Sequence, residues 1–326
     1  MMSLRGLAFS SALALVAGSL TACGNGSSAL PPAAGPGTWT VVAPMQKLRT
    51  ELGAGALNGL VYAVGGYGDY EGNSRDLRSV EAYDPSTDTW TMKASVASGR
   101  TALGVGIVGN LLYAVGGDYN DAGVGTVEAY DPATNAWTAR KSMPTPRSGL
   151  GVGVVNNILY AVGGRNGTVY TNAVEAYDPS TDTWTKKAPM PTARAGVGVA
   201  VVNNVLYAIG GAYVGPLGFF GGLSTVEAYD PSTNTWTTKA LMPTQRQYPA
   251  VAVVNGTVYA IGGYEFGVSV KDTVEAYSPP ADRWVPKTSM HETRYAPAAA
   301  VVNNVVIVAG GANHANPIQT VEKFTP

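Results

Sequence analysis

Cysteine occurs once in the 326 residues, at Cys23, so the chain cannot close a disulfide on itself, build a cysteine-based zinc site or run a dithiol redox pair. Histidine occurs twice, at His291 and His314, which leaves few imidazoles for a metal centre. Charge is scarce as well. Lys, Arg, Asp and Glu make up 13% of the chain, sum to −1 and form no basic run, which excludes the electrostatic footprint of a nucleic-acid binder. Beyond the N-terminal stretch, no segment reaches the ~20 unbroken apolar residues of a membrane span. What the chain has in plenty is glycine, 41 residues, beside 45% apolar residues. That is a strand-and-turn composition with an ample core and a sparsely charged surface.

The first 37 residues stand apart from the rest. Arg5 supplies a short positive region, residues 7–20 an apolar one and Ala22 a small residue, the pattern of a cleaved export signal over residues 1–22. Leu20-Thr21-Ala22-Cys23 resembles a bacterial lipobox, and the resemblance implies acylation of Cys23 after cleavage. Residues 24–37, GNGSSALPPAAGPG, read as a flexible tether with nothing to bury. The expectation is a protein exported to the bacterial cell envelope, lipid-anchored, touching the membrane only through that anchor and carrying one monomeric domain over residues 38–326.

Within that domain one module recurs. Val80-Glu81, Val127-Glu128, Val174-Glu175, Val226-Glu227, Val274-Glu275 and Val321-Glu322 open six copies, 47 to 52 residues apart. A tryptophan lies nine residues after the glutamate in the first five copies. A glycine pair precedes every copy: Gly65-Gly66, Gly116-Gly117, Gly163-Gly164, Gly210-Gly211, Gly262-Gly263 and Gly310-Gly311. Gly-Gly, aromatic-Asp and Trp at this period resemble the kelch repeat, over residues 39–326. The resemblance implies an all-β, six-bladed kelch-type β-propeller with four antiparallel strands per blade.

The third repeat shows how one blade is written. Residues 149–155 alternate small and branched side chains as a first strand, and Asn156-Asn157 form a turn able to take φ > 0. Residues 158–162 make a buried second strand, residues 173–177 a third, Asp178-Pro179 a tight turn, and residues 183–187 a fourth carrying Trp184. Glycine-rich first strands belong at the crowded axis, and the tryptophans in the wedge between blades. The sixth copy stops after its third strand, while Thr38-Trp39-Thr40 is a fourth strand with no blade of its own. The strand around Trp39 should therefore close the last blade, because an open ring would leave two unpaired edges.

Three intervals do not vary. Trp to the next Arg is ten residues (Trp39 to Arg49, Trp90 to Arg100, and so on to Trp284 and Arg294), Arg to Gly-Gly is sixteen, and Glu to Trp is nine. Every length change falls between Gly-Gly and Val-Glu, in the loop joining the second and third strands. Antiparallel connectivity puts these loops on the same face as the links between blades, and variable loops on a rigid scaffold are where binding resides. Candidate contacts there are Tyr67, Tyr70, Arg165, Tyr213, Phe219, Phe220, Tyr264 and Glu265. Phe219-Phe220, held between glycines, either meet a partner, sugar or lipid or are buried by their own loop. Arg49, Arg100, Arg147, Arg194, Arg246 and Arg294 are matched in number by Glu81, Glu128, Glu175, Glu227, Glu275 and Glu322. Equal counts point to one structural ion pair per blade interface rather than to an anion site.

The kelch resemblance implies three kinds of function to weigh. Adaptor propellers bind acidic peptides through an arginine directly after one Gly-Gly and others two residues after the arginine of the first strand. Arg165 matches the former, but Glu51, Ala102, Gly149, Gly196, Tyr248 and Ala296 fill the latter positions and none is basic. Copper radical oxidases need a cysteine cross-linked to tyrosine, which Cys23 does not supply. His291 and His314 with Tyr295 are weak metal candidates lacking further ligands. A periplasmic mutarotase needs only an acid-base pair, and Glu265, Asp69 or Glu71 are available without any spacing that singles one out. No cofactor is implied. The sequence reads as a non-catalytic binding module taking a protein or carbohydrate ligand on the loop face, with a carbohydrate-active, mutarotase- or epimerase-like enzyme as the alternative.

Overall fold

Each repeat folds into four short strands because its apolar runs are five residues long and end at residues that tolerate a left-handed backbone. Asn156 and Asn157 take φ of 50° and 63°, and Asn203-Asn204 and Asn303-Asn304 repeat this conformation. The computed structural model describes residues 36–70, 73–120, 122–214, 220–265, 267–314 and 316–326, leaving the side chains of 69, 70, 73–75 and 220 outside the description.

Six four-stranded antiparallel sheets are arranged as the blades of a propeller. The third comprises Gly151–Val155, Ile158–Val162, Val174–Asp178 and Thr183–Lys186, paired in that order. The first strand starts two residues later than the alternation suggests, since Gly149 sits at φ +61° and turns out of the ladder. The last blade is Ala298–Val302, Val305–Ala309 and Val321–Thr325, completed by Thr38–Val42 from the other end of the chain. Thr38 lies opposite Thr325 and Val42 opposite Val321, and Trp39 packs on Phe324 with ring centroids 4.9 Å apart. The chain is held from Pro36 onward, because the Thr288 N–H and hydroxyl both donate to the Pro36 carbonyl. Among the described residues the only helical piece is the 3-10 turn Pro279–Ala281, and no helix is long and apolar enough to cross a membrane.

Three circuits join blade to blade. Nearest the axis, the residues two after each arginine all take positive φ, and five of their amides donate to the carbonyl of a neighbouring blade's equivalent. Ala102 donates to Glu51, Gly149 to Ala102, Gly196 to Gly149, Tyr248 to Gly196 and Glu51 to Ala296, at 2.7 to 3.0 Å. Further out, the second glycine of each Gly-Gly donates to the arginine carbonyl of the next blade, as Gly66 does to Arg100 and Gly311 to Arg49. A Cβ on the first glycine would stand 2.6 Å from that carbonyl at Gly65 and 2.5 Å at Gly310, so the motif exists to let two backbones touch.

The outermost circuit is a two-point clamp. Trp90 Nε1 donates to the Ala43 carbonyl while Asp88 Oδ1 accepts the Ala43 N–H, and the same pairing joins Trp137 and Asn135 to Ala94 and Trp184 and Asp182 to Lys141. The Asp or Asn five residues after the blade tyrosine also accepts that tyrosine's hydroxyl, as at Tyr177 to Asp182, 2.6 Å. This residue drew no attention in the sequence, where it is one more polar turn position. The Tyr177 hydroxyl and the Lys141 amide hold the Asp182 carboxyl below the usual aspartate range; Asp88 and Asp282 are depressed by the same kinds of partner. A depressed carboxylate contributes stability that is present above its unfolded pKa near 4 and lost as pH falls through its folded value. Converting Asp88, Asp182 and Asp282 together to Asn, the residue already used in blades 2 and 4, keeps every acceptor. The triple variant should unfold at lower pH than the parent in an acid titration followed by circular dichroism; an unchanged acid midpoint would refute the clamp's part in acid sensitivity.

Candidate functional site

Between the second and third strands of every blade stands a further small hairpin, where the sequence suggested only loops. The six are Tyr67–Tyr70 with Asn73–Asp76, Asp118–Tyr119 with Ala122–Gly123, Arg165–Asn166 with Val169–Tyr170, Ala212–Val214 with Phe220–Gly222, Tyr264–Glu265 with Ser269–Val270, and Ala312–Asn313 with Asn316–Pro317. Each is tied to its interblade link by one antiparallel bridge, as Thr50 to Tyr67 and Ser148 to Arg165. The hairpins thus rise from one face as differently lettered projections, each bridged to its link.

That face is where the apolar surface lies. Ten large hydrophobic side chains are exposed among the described residues, and six of them, Tyr67, Tyr119, Val169, Tyr213, Val214 and Val268, belong to the hairpins, at 37% to 69% exposure. None lies in the turns of the opposite face, which are built of Asn, Asp, Ser, Thr, Pro, Ala and Gly. Of the other expected contacts, Tyr264 packs edge-on to Tyr295 and Glu265 pairs with Lys271 at 2.5 Å. Phe219 and Cys23 lie outside the described residues, as do the side chains of Tyr70 and Phe220.

The arginines are withdrawn from ligands. All six are fully buried, and each meets the glutamate of its own repeat: Arg49–Glu81, Arg100–Glu128 and Arg194–Glu227 at 2.5 Å, Arg246–Glu275 at 2.9 Å, Arg294–Glu322 at 3.0 Å and Arg147–Glu175 at 3.2 Å. The pair binds a link to the third strand of the blade that follows, while the arginine's backbone carbonyl makes the contact with the blade before. Arg194 Nη1 also donates to the carbonyls of Gly210 and Thr225. Burial pushes the guanidinium groups of Arg49, Arg100, Arg147, Arg194 and Arg246 down, Arg147 to about 10, against the pull of their glutamates. His291 Nδ1 lies 2.7 Å from Glu322 Oε2, and His314 Nδ1 2.7 Å from Asn313 Oδ1, so each histidine is engaged separately. No group of three or more His, Cys, Asp or Glu side chains placed to hold a metal occurs among the described residues.

At the centre of the hairpin face the structure assembles a cluster that sequence reading did not find. Of the six residues in the axial belt, four are Gly or Ala; the other two, Glu51 and Tyr248, project into the channel mouth. The Tyr248 ring covers blades 3 and 4, lying 2.5 Å from where a Cβ on Gly196 would stand, and its hydroxyl is 3.0 Å from the same point on Gly149. Arg165 donates to the Tyr248 phenol, and its Nη1 to the Gly167 carbonyl. Tyr295 stacks edge-on against Tyr248, centroids 5.4 Å apart. Glu51 Oε2 accepts from the Thr101 hydroxyl at 2.8 Å and Oε1 from the Tyr295 phenol at 3.4 Å, while Asp118 accepts from Ser148 at 3.4 Å. One edge of Glu51 faces the channel, yet protein hems it in, and the lost hydration raises its carboxyl pKa against the hydroxyl donors and Arg165. Burial raises the phenols of Tyr248 and Tyr295 too. Two bulky residues at positions otherwise Gly or Ala are the signal that was present in the sequence.

Two hollows adjoin this face. The channel below Glu51 and Tyr248 is a cavity of about 160 Å³ whose other lining side chains, among them Leu52, Val105, Val199, Val251 and Pro297, are apolar. A rim groove of about 790 Å³ runs past Lys47, Asp76, Arg78, Met92 and Tyr119, beside the link residues Ala97, Ser98 and Gly99. The corresponding links carry Pro and larger side chains in blades 3, 4 and 5, which is why the groove opens at blade 2.

Comparison with known proteins agrees with this architecture. The family described as KLHDC2/KLHL20/DRC7 Kelch-repeats domain matches residues 38–211, more than half of the chain, and the Kelch motif matches residues 218–243 and 245–291. Kelch-like ECH-associated protein 1B of Danio rerio is 36% identical over 83 residues, 26% of this chain and 14% of that protein. The Influenza virus NS1A-binding protein homolog of Mus musculus is 40% identical over 76 residues, 23% of this chain and 11% of that protein. The matched stretches therefore span less than a sixth of these relatives' length. The solved structure of YjhT superposes with a TM-score of 0.73 over 86% of this chain and 95% of that one at 17% identity, a likeness of fold. Six blades with Gly-Gly seams and tryptophan clamps, together with a family match over more than half the residues, make this chain a member of the kelch-repeat family.

Proposed function

We propose that the protein is a non-catalytic interaction module of the bacterial cell envelope that binds a protein partner through its hairpin face. The observation that carries this reading is the gathering of six of the ten exposed large hydrophobic side chains on the hairpins, with none in the turns of the opposite face. The names of two relatives speak of protein partners, ECH and the influenza NS1A protein, which supports the same class of function here. Against a carbohydrate-enzyme site at the channel mouth stands the size of the axial cavity, about 160 Å³ where small-molecule sites run roughly 300–1,000 Å³.

The test is capture from envelope extracts with three forms of the protein: the parent, a hairpin variant (Tyr119→Ser, Tyr213→Ser, Val268→Ser) and an opposite-face variant (Thr181→Lys, Thr233→Lys). A partner retained by the parent and the opposite-face variant, and lost by the hairpin variant at unchanged thermal stability, is the expected result. Retention by the hairpin variant would move the contact off this face. A sugar that raises the melting temperature with no protein partner would favour the carbohydrate reading.

A further inference from the structure

Glu51 is a carboxyl group placed at the head of an apolar shaft without a cation of its own. Its two oxygens take hydroxyl donors from Thr101 and Tyr295, and no ion pair joins it among the described residues, whereas every repeat glutamate has its arginine. Its backbone takes φ of +54°, a conformation costly for a residue with a Cβ and one that aims the side chain at the axis. The groups facing it from the surrounding blades are Asp118, Arg165, Tyr248 and Tyr295, with Tyr170 behind Arg165 and Tyr248. Arg165 is the single cation in this set. It is spent on the Tyr248 phenol and the Gly167 carbonyl and is balanced by Asp118, so with Glu51 ionised the mouth carries one net negative charge.

We infer that the axial mouth is a binding site for an alkylammonium group, which ion-pairs with Glu51 against the rings of Tyr248 and Tyr295 while its hydrocarbon part occupies the apolar channel. The chemistry matches at each point. A carboxylate shielded from water and bonded only by neutral hydroxyls gains most from a cation, aromatic faces attract one, and the side chains of Leu52, Val105, Val199 and Val251 offer hydrocarbon contact. Size narrows the ligand further. A hollow of about 160 Å³ has room for a benzene-sized group, and so for a short amine or the end of a lysine side chain. This inference goes beyond the hairpin-face reading and does not depend on it. A lysine from a protein partner and a free small amine share the required chemistry.

Calorimetric titration of the intact protein tests the site with n-butylammonium chloride, the peptide acetyl-Gly-Lys-Gly-amide, n-butanol and acetyl-Gly-Glu-Gly-amide. At least one of the two cations should bind, and the alcohol and the acidic peptide should not. Binding should release protons, seen by repeating the titration in buffers of different ionisation enthalpy, because the cation draws the raised Glu51 pKa back down. Glu51→Gln should weaken the cation roughly tenfold or more, whereas Tyr248→Phe, which keeps the ring, should change affinity far less than Tyr248→Ala. Glu51→Gln folds as well as the parent on this account, since it replaces a carboxyl that burial already drives toward neutrality, and its melting temperature verifies that. Butylammonium alone would mark a free amine as the ligand, and the lysine peptide alone a partner's side chain. Failure of both cations, equal binding by Glu51→Gln, or binding of the acidic peptide would overturn the inference. Loss of the site with partner capture intact would leave the hairpin-face reading standing.

Discussion

Replacing Arg194 by methionine is expected to destabilise the propeller by about 3–5 kcal/mol, the usual cost of leaving one member of a buried ion pair without its partner. Arg194 is wholly buried and Glu227 nearly so, which keeps solvent from screening the loss. The substitution removes the 2.5 Å contact with Glu227 and strips the carbonyls of Gly210 and Thr225 of a donor. The double variant Arg194→Met, Glu227→Leu should recover much of this, because it leaves no uncompensated charge even though the Gly210 carbonyl stays without the arginine donor, while the Thr225 carbonyl keeps the Gly210 N–H. Urea unfolding of the parent, the single and the double variant measures the difference. A single variant within about 1 kcal/mol of the parent would mean that the six pairs are not structural in the sense argued here. The six guanidinium Nε atoms find no acceptor in their buried sites, so the pairs are not ideally satisfied, and part of their role is to dictate which link meets which strand.

Removal of the closing strand should have the second largest effect. A chain beginning at Ala43 lacks the five residues that pair with Val321–Thr325, together with the Trp39 ring on Phe324 and the Trp39 Nε1 bond to the Thr288 carbonyl. At this seam the backbone carbonyl of Pro36 stands where an Asp or Asn side chain clamps the other five, so no neighbouring residue can substitute. Even Trp39→Ala alone should cost about 3–5 kcal/mol, the range for a buried aromatic. Loss of the whole strand also bares the edge of Val321–Thr325 to pairing between molecules. Unfolding by urea should then occur well below the parent's midpoint, and size-exclusion chromatography should show association. A monomer of parental stability would show that the ring does not need its clasp.

Much of this fold is legible in one sequence because the repeat compares the chain with itself. Invariant spacings from Trp39 to Arg49 and from Arg49 to Gly65 recur six times and mark what each blade needs, while variation in length isolates the hairpins. The clamp at Asp182 was equally repeated and still escaped notice, because an Asp or Asn after a turn reads as turn chemistry until the Lys141 amide of the preceding blade is seen to reach it. The extra hairpins look like loops in the sequence, since strands of two to four residues such as Arg165–Asn166 carry no alternation to detect. Their regularity comes from the link beside them, which offers one bridge to each.

The sequence alone determined the six blades, their order, their closure through the strand around Trp39 and the face on which variation is concentrated. All of these follow from local patterning and periodicity, which neighbouring residues carry. Only the tertiary structure decided the axial mouth. Glu51, Thr101, Arg165, Tyr248 and Tyr295 come from five different blades; the repeat marks Glu51 and Tyr248 as equivalent positions, but nothing in the spacing announces that Thr101, Arg165 and Tyr295 meet them. They converge because a belt of blade-to-blade backbone bonds brings six chain positions to one axis, and because Gly149 and Gly196 leave room beneath one tyrosine that the repeat's symmetry does not require.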